Sequence, residues 1–311
     1  MAAPSSAPVA ATSSGSLPTF TGTEGAYMLP HHRKEIERLH RQHEFMNTTT
    51  GGQLLLPRII PQQRSLRVLD SGAADGFWLR DLPRQLPSKD LALFGVDIGS
   101  SLFPAPGEAA ASGQQADLRS HDIRTPFPES WGWTNTFDVV HQRLLIWGIK
   151  ASEWPVVISN LISVLKPGGY IQLVEAEWID PANPASEVTR PELAKQAALQ
   201  KWSTASFGMD IDIAYKLEKL LSDAGLEDVG VVQFDHGYGA LAKAESQKNV
   251  SAELWVDCFR TLDEKIPTGG IPGVAAYARE FHEFLDRLEV EIKTYGYQPK
   301  LNFVYGRKPL Q

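Results

Sequence analysis

The chain alternates short apolar runs with amphipathic stretches. Leu66 to Asp70, Leu91 to Asp97, Phe137 to His141 and Tyr170 to Glu175 have the length and composition of buried strands. Between them the period becomes helical. Trp78 to Leu86 reads as one helix. Trp154, Val157, Ile158, Leu161 and Leu165 form the face of another, with Ser152 as its N-cap and Lys166-Pro167-Gly168-Gly169 as its stop and turn. Further on, Ile213, Leu217, Leu220, Leu221 and Ala224 mark a helix closed by Gly225, and Val229 to Phe234 a strand. Tyr277, Phe281, Phe284, Leu285, Leu288 and Ile292 share one face of a long helix, and Leu301 to Tyr305 forms a last strand. Alternation of this kind predicts an α/β fold: a mostly parallel sheet with helices on both faces.

Upstream, Ile36, Leu39, His43 and Met46 recur at helical spacing until Gly51-Gly52 stops them, and Leu54 to Ile60 reads as a docking segment. Residues 27–60 therefore form an N-terminal helical segment ahead of a main domain spanning 61–311. Residues 1–26, rich in Ala, Ser, Pro, Thr and Gly, read as a flexible arm. Segments near 181–210 and 241–300 exceed what a minimal sheet needs. They should carry helices, forming a cap over the strand ends where ligands of open α/β sheets bind.

Composition narrows the function classes. The net charge is −7 and no dense Lys/Arg run occurs, so a surface for nucleic acid is not expected. No apolar run is long enough for a membrane span. The first basic residue is Arg33, so neither a secretory nor a mitochondrial leader is written at the start, and a cytoplasmic location is expected. The single cysteine, Cys258, allows no intrachain disulfide and reads as an ordinary buried thiol. The histidines and acids form no metal-ligand pattern. The sequence does not specify an oligomeric state.

The chemistry concentrates where strands end. Val68-Leu69-Asp70-Ser71-Gly72-Ala73-Ala74-Asp75-Gly76 joins a strand to a helix. Gly72 permits a tight turn with close approach to a ligand, and Gly76 lets the helix start beside the strand. Alone, this turn could equally hold a dinucleotide. Gly95-Val96-Asp97 ends the second strand with an acid that could accept from ribose hydroxyls. His121-Asp122-Ile123 stands where a third strand would end. Phe137-Asp138-Val139-Val140-His141 is followed, after one helix, by Leu165-Lys166-Pro167-Gly168-Gly169-Tyr170.

In this order and spacing the motifs resemble those of class I S-adenosylmethionine-dependent methyltransferases. Trp78 to Leu82, Gly95-Val96-Asp97-Ile98 with Phe103-Pro104, His141-Gln142-Arg143-Leu144-Leu145, and Glu37-Arg38-Leu39 with Gln42-His43 are similar to the fungal LaeA/UMTA-like members. The resemblance covers roughly residues 27–178. It implies a Rossmann-like seven-stranded methyltransferase sheet whose last strand is antiparallel, with S-adenosylmethionine across the strand ends. Asp70, Gly72 and Gly76 would surround the methionine portion. Asp97 would hold the ribose beside Ile98, and Asp122 and Ile123 would flank the adenine amine. His141 and Arg143 would face the sulfonium and the acceptor. One departure is Ala74, where the middle glycine usually stands. Another is Asp75, open to two readings: a partner for the cofactor's ammonium, or a solvated turn acid.

Catalytic candidates follow from position. His141 is the leading base or orienter, the alternative being a bond to a neighbouring loop or helix. Arg143 could pair with the acceptor or with a local acid. His43, on the apolar face of the first helix, is a candidate whose plainer reading is a satisfied core residue. Glu175 and His236 are weaker candidates, and Trp147, Trp178, Trp202 and Phe207 could line an aromatic pocket. The function expected is O- or N-methylation of a small, largely apolar secondary metabolite by in-line transfer. The alternative is a LaeA-like regulator that binds the cofactor and acts through protein partners. An NAD-dependent oxidoreductase leaves the Asp122 and Leu165–Tyr170 segments without a role.

Overall fold

A computed structural model describes residues 33–104, 116–180, 185–260, 262 and 265–310. The expected arm at 1–26 lies outside these residues. Seven strands form one sheet in the order β3-β2-β1-β4-β5-β7-β6. They are β1 (Ser65–Ser71), β2 (Asp90–Asp97), β3 (Asp117–Ser120), β4 (Phe137–Arg143), β5 (Leu165–Glu177), β6 (Glu227–Asp235) and β7 (Lys300–Arg307). β1 to β5 pair in parallel, while β7 runs antiparallel between β5 and β6. This is the Rossmann-like methyltransferase sheet that the resemblance implied. Six of β4's seven residues are buried, the polar Asp138, His141 and Gln142 among them.

The helices are α1 (Arg33–Thr50), α2 (Phe77–Gln85), α3 (Trp154–Val164), α4 (Pro191–Ser206), α5 (Ile213–Asp223), α6 (Lys248–Arg260) and α7 (Ala278–Tyr295). α2 packs on β2. α3 and α5 pack on each other and on β5, so helices cover both faces of the sheet. α4, α6 and α7 form a separate layer joined to α1 through α6. That layer is tied by specific bonds. The Glu291 carboxylate of α7 accepts the N–H groups of Glu192 and Leu193 at 3.2 and 2.9 Å, satisfying orphan donors at the start of α4. Trp255 Nε1 donates to Gln196 Oε1 at 2.9 Å.

Two local expectations need correction. Ser152 is not the cap of α3: the N-cap is Glu153, with Pro155 in the first turn and no side-chain cap bond. Lys166-Pro167-Gly168-Gly169 is not a turn outside the sheet but part of β5. Leu165 pairs with Phe137 and Tyr170 with Val139, so β5 bulges between these pairs. Gly168 has φ +79°, and a β-carbon on Gly169 would lie 3.0 Å from the Asp138 carbonyl, so the glycines serve a close backbone approach.

Candidate active site

The C-terminal ends of β1, β2 and β4, roofed by α1 and α6, enclose a cleft of about 1650 Å³, counting space open to solvent. One half is built from the strand-end turns. Gly72 has φ +73°, and its N–H donates to the Val96 carbonyl at 2.8 Å. A β-carbon there would stand 2.8 Å from Leu145 Cδ2, so only glycine leaves the turn its shape. Ala74 adopts φ +47°, a left-handed conformation unusual for a residue with a side chain. Its N–H donates to Asp97 Oδ2 at 2.9 Å, and Gly99 N–H donates to Oδ1 at 2.9 Å. The departure at Ala74 is thus accommodated in the backbone, and Asp97 is oriented along the cleft wall beside Ile98.

Asp75 lines the cleft and is not a solvated turn acid. It is buried, and its carboxylate meets Arg80 Nη2 at 2.7 Å and His40 Nε2 at 2.8 Å. His40 in turn stacks on Phe77 with ring centres 3.9 Å apart. Gly76, at φ +78°, is the N-cap of α2. Asp122 and Ile123 both line the cleft. Arg124 grips the Asp122 carboxylate through Nε and Nη2 at 2.8 and 2.9 Å, and its backbone N–H also donates to Oδ1 at 3.0 Å, leaving Oδ2 a further lone pair. The Asp122 carboxyl sits below its ordinary range: burial raises it, and the Arg124 bonds outweigh that.

Beneath this half lies a buried polar floor. His141 is 1% exposed and stacks face to face on Trp78, ring centres 3.9 Å apart. Its Nδ1 lies 2.7 Å from Asp70 Oδ1, and the pairing of Asp70 with His141 across β1 and β4 sets that bond. Burial lowers the His141 pKa, against the pull of Asp70, so the ring is neutral with Nδ1–H donating. Its Nε2 has no hydrogen-bond partner among the described residues. His43 accepts from Arg143 Nη2 at Nδ1 (3.1 Å), and its Nε2 faces Asp81 Oδ2 at 3.0 Å. Burial, reinforced by Arg143, lowers the His43 pKa to about 4. His43, Arg143, His141 and Asp70 all line the cleft.

The other half is aromatic. Trp147, Trp178, Tyr238, Leu254 and Trp255 line it, with Cys258 beside them. Burial pushes the Cys258 thiol up to about 12, which makes it an inert wall residue. α1 contributes Glu35, Arg38, Leu39 and Gln42 from one face, and Arg38 clasps Glu35 at 2.6 and 2.8 Å. Sequence reasoning missed Tyr238, Trp255 and this polar stripe. The signal for the stripe was present, since positions 35, 38, 39 and 42 share a helical face. Trp202 and Phe207 do not line the cleft. Nor does Glu175, which instead accepts the backbone N–H of Leu145 at 2.6 Å and holds the loop after β4. His236 is a core residue, 1% exposed and bonded to Thr49 Oγ1 at 2.8 Å. Among the described residues no cluster of metal-binding side chains occurs, and no helix is long and apolar enough to cross a membrane.

A glycine turn, a fixed acid at the end of β2 and a deep cleft at the strand ends of this sheet define an S-adenosylmethionine-dependent methyltransferase. Residues 38–231 match the family model described as a methyltransferase domain, and the chain belongs to that family. It is 30% identical to the N-methyltransferase sirN of Leptosphaeria maculans, over 92% of this chain and 96% of that one. It is 36% identical to the N-methyltransferase verN of Clonostachys rogersoniana, over 91% and 93%. Among solved structures, a Haemonchus contortus phosphoethanolamine N-methyltransferase in complex with S-adenosyl-L-methionine is 17% identical. It covers 81% of this chain and 50% of that one with a TM-score of 0.49. The enzyme uses S-adenosylmethionine and acts on a small-molecule acceptor.

Proposed function

We propose that this enzyme methylates a nitrogen on a small, largely apolar metabolite, in the cytoplasm. The observation that carries the reading is the aromatic half of the cleft, walled by Trp147, Trp178, Tyr238 and Trp255. The relatives named as N-methyltransferases support nitrogen as the acceptor atom. The strand-end half fits the cofactor: the Gly72 turn lines the cleft at φ +73°, and Asp97 is held by two backbone N–H groups.

Bound S-adenosylmethionine supplies a methyl group already activated for in-line displacement. In this reading Asp70 and Gly72 border its methionine portion, with Gly76 behind them starting α2, Asp97 and Ile98 hold the ribose, and Asp122 and Ile123 border the adenine. Much of the acceleration can then come from positioning. Apolar walls also keep an amine acceptor neutral, because burial disfavours the ammonium form. A neutral nitrogen would attack the methyl carbon with its lone pair as the carbon–sulfur bond breaks; the sulfur would leave as the uncharged thioether, and the alkylated ammonium would give its proton to water. His141, sealed by Trp78 and bonded to Asp70, then acts by holding the Asp70 carboxylate in place. The test is transfer of labelled methyl from S-adenosylmethionine to matched pairs of small aromatic compounds carrying N–H or O–H. Label on the nitrogen members is expected; label confined to the oxygen members refutes the reading.

A further inference from the structure

The geometry points to Arg143 as the residue that binds the carboxylate of the cofactor's methionine end, with His43 as the positioning residue that aims it. This rests on the cofactor assignment above and adds a role that the sequence left open. An amino-acid end entering the cleft brings a carboxylate out of water, and such a group is held by a charge-assisted partner. Among the described residues three arginines line the cleft. Arg38 is engaged with Glu35 at 2.6 Å, and Arg124 with Asp122 at 2.8 Å. Arg143 forms no ion pair with a described residue; its Nη2 donates to the neutral ring of His43, at 3.1 Å.

Its location fits the role. Asp70 pairs with His141 and Ser71 with Gln142, so Arg143 stands one step further on, level with the Gly72 turn. That turn is where the methionine end is placed. His43 is itself held: its Nε2 faces Asp81 at 3.0 Å, and Asn47 donates to the same Asp81 oxygen at 2.8 Å. The orientation of the guanidinium is thereby set from α1 and α2, leaving its remaining N–H groups for a ligand.

The test is calorimetry with S-adenosylhomocysteine and with its decarboxylated analogue, which keeps the adenosine, the sulfur and the amine. Arg143→Met is expected to weaken S-adenosylhomocysteine by about 30-fold or more, as when one member of a buried charge pair is removed. The analogue, with no carboxylate to lose, should change by less than about threefold or bind better. Equal weakening of both ligands overturns the assignment, as does unchanged S-adenosylhomocysteine affinity with a raised KM for the acceptor. Wild-type protein that binds neither ligand removes the cofactor assignment and this one with it. Should Arg143→Met fail to fold, Arg143→Lys carries the same comparison: loss confined to S-adenosylhomocysteine supports the role, and equal loss overturns it.

Discussion

Glu175→Gln tests how the loop after β4 is held. Glu175 is 1% exposed, and its Oε1 accepts the Leu145 N–H at 2.6 Å while Oε2 has no partner among the described residues. Burial pushes its carboxyl up to about 8, against the opposing bonds from the Leu145 and Ile146 N–H groups. In the unfolded chain the same group titrates near the ordinary 4.5. Between these values the folded state binds a proton that the unfolded state does not, so stability falls as pH rises from 4.5 to 8. The slope is about 1.4 kcal/mol per pH unit. At pH 7 the 2.5-unit gap from 4.5 amounts to about 3 kcal/mol.

Glutamine keeps the acceptor oxygen and the shape but takes no part in this titration. Its NH₂ occupies the unpartnered Oε2 position, where the protonated acid also leaves a donor unsatisfied, so that term largely cancels. Glu175→Gln should therefore equal wild type near pH 4.5 and exceed it by about 3 kcal/mol at pH 7. Urea unfolding followed by tryptophan fluorescence at half-unit steps from pH 4.5 to 8 measures the difference. A difference that stays flat with pH, or a variant that loses ground as pH rises, would show that Glu175 is ionised in the fold and that its two N–H bonds outweigh burial.

Two further outcomes follow from the same cleft. Gly72→Ala, with φ +73° and a β-carbon 2.8 Å from Leu145, should cost about 1–3 kcal/mol in thermal unfolding and lower S-adenosylhomocysteine affinity in calorimetry; an unchanged protein would mean that the turn has room. His43 and His236 titrate near 4 and 3 because burial opposes their charged forms, whereas the unfolded chain protonates near 6.5. Stability should drop from pH 6.5 to 4 by about 1.4 kcal/mol per unit for each, read in the Glu175→Gln background to remove the opposing term; a urea midpoint constant from pH 6.5 to 5 refutes it.

The sheet was legible because its strands and helices differ in period, and period is a local property. The cofactor half was legible for a related reason. Its residues sit in contiguous turns at strand ends, so their order along the chain repeats their order in space. Asp75 shows the limit: its partners are Arg80, five residues on, and His40, on a separate helix. The acceptor half has no such order. Trp178 follows β5, Tyr238 follows β6 and Trp255 lies on α6, and each is a lone aromatic until the cap packs. The bulge in β5 was hidden because Pro-Gly-Gly reads identically as a turn or as a close approach between strands.

Histidine is the residue whose role sequence specifies least, and this cleft shows why. A ring at a strand end is written the same way whether it takes a proton from an acceptor or spaces two fixed groups. Burial and the partner at the other nitrogen separate these roles. Neutral His43 links Arg143 to Asp81, so the cation is aimed without being neutralised by direct contact with a carboxylate. A carboxylate in its place would close Arg143 in the way Glu35 closes Arg38. Neutral His141 does the matching service for Asp70 while Trp78 covers its face. Burial is the common cause, since it holds both rings neutral by penalising the charged form. The floor of the cleft therefore presents its charges with their orientations set and their ligand-facing capacity unspent, which is what binding a zwitterionic amino-acid end requires.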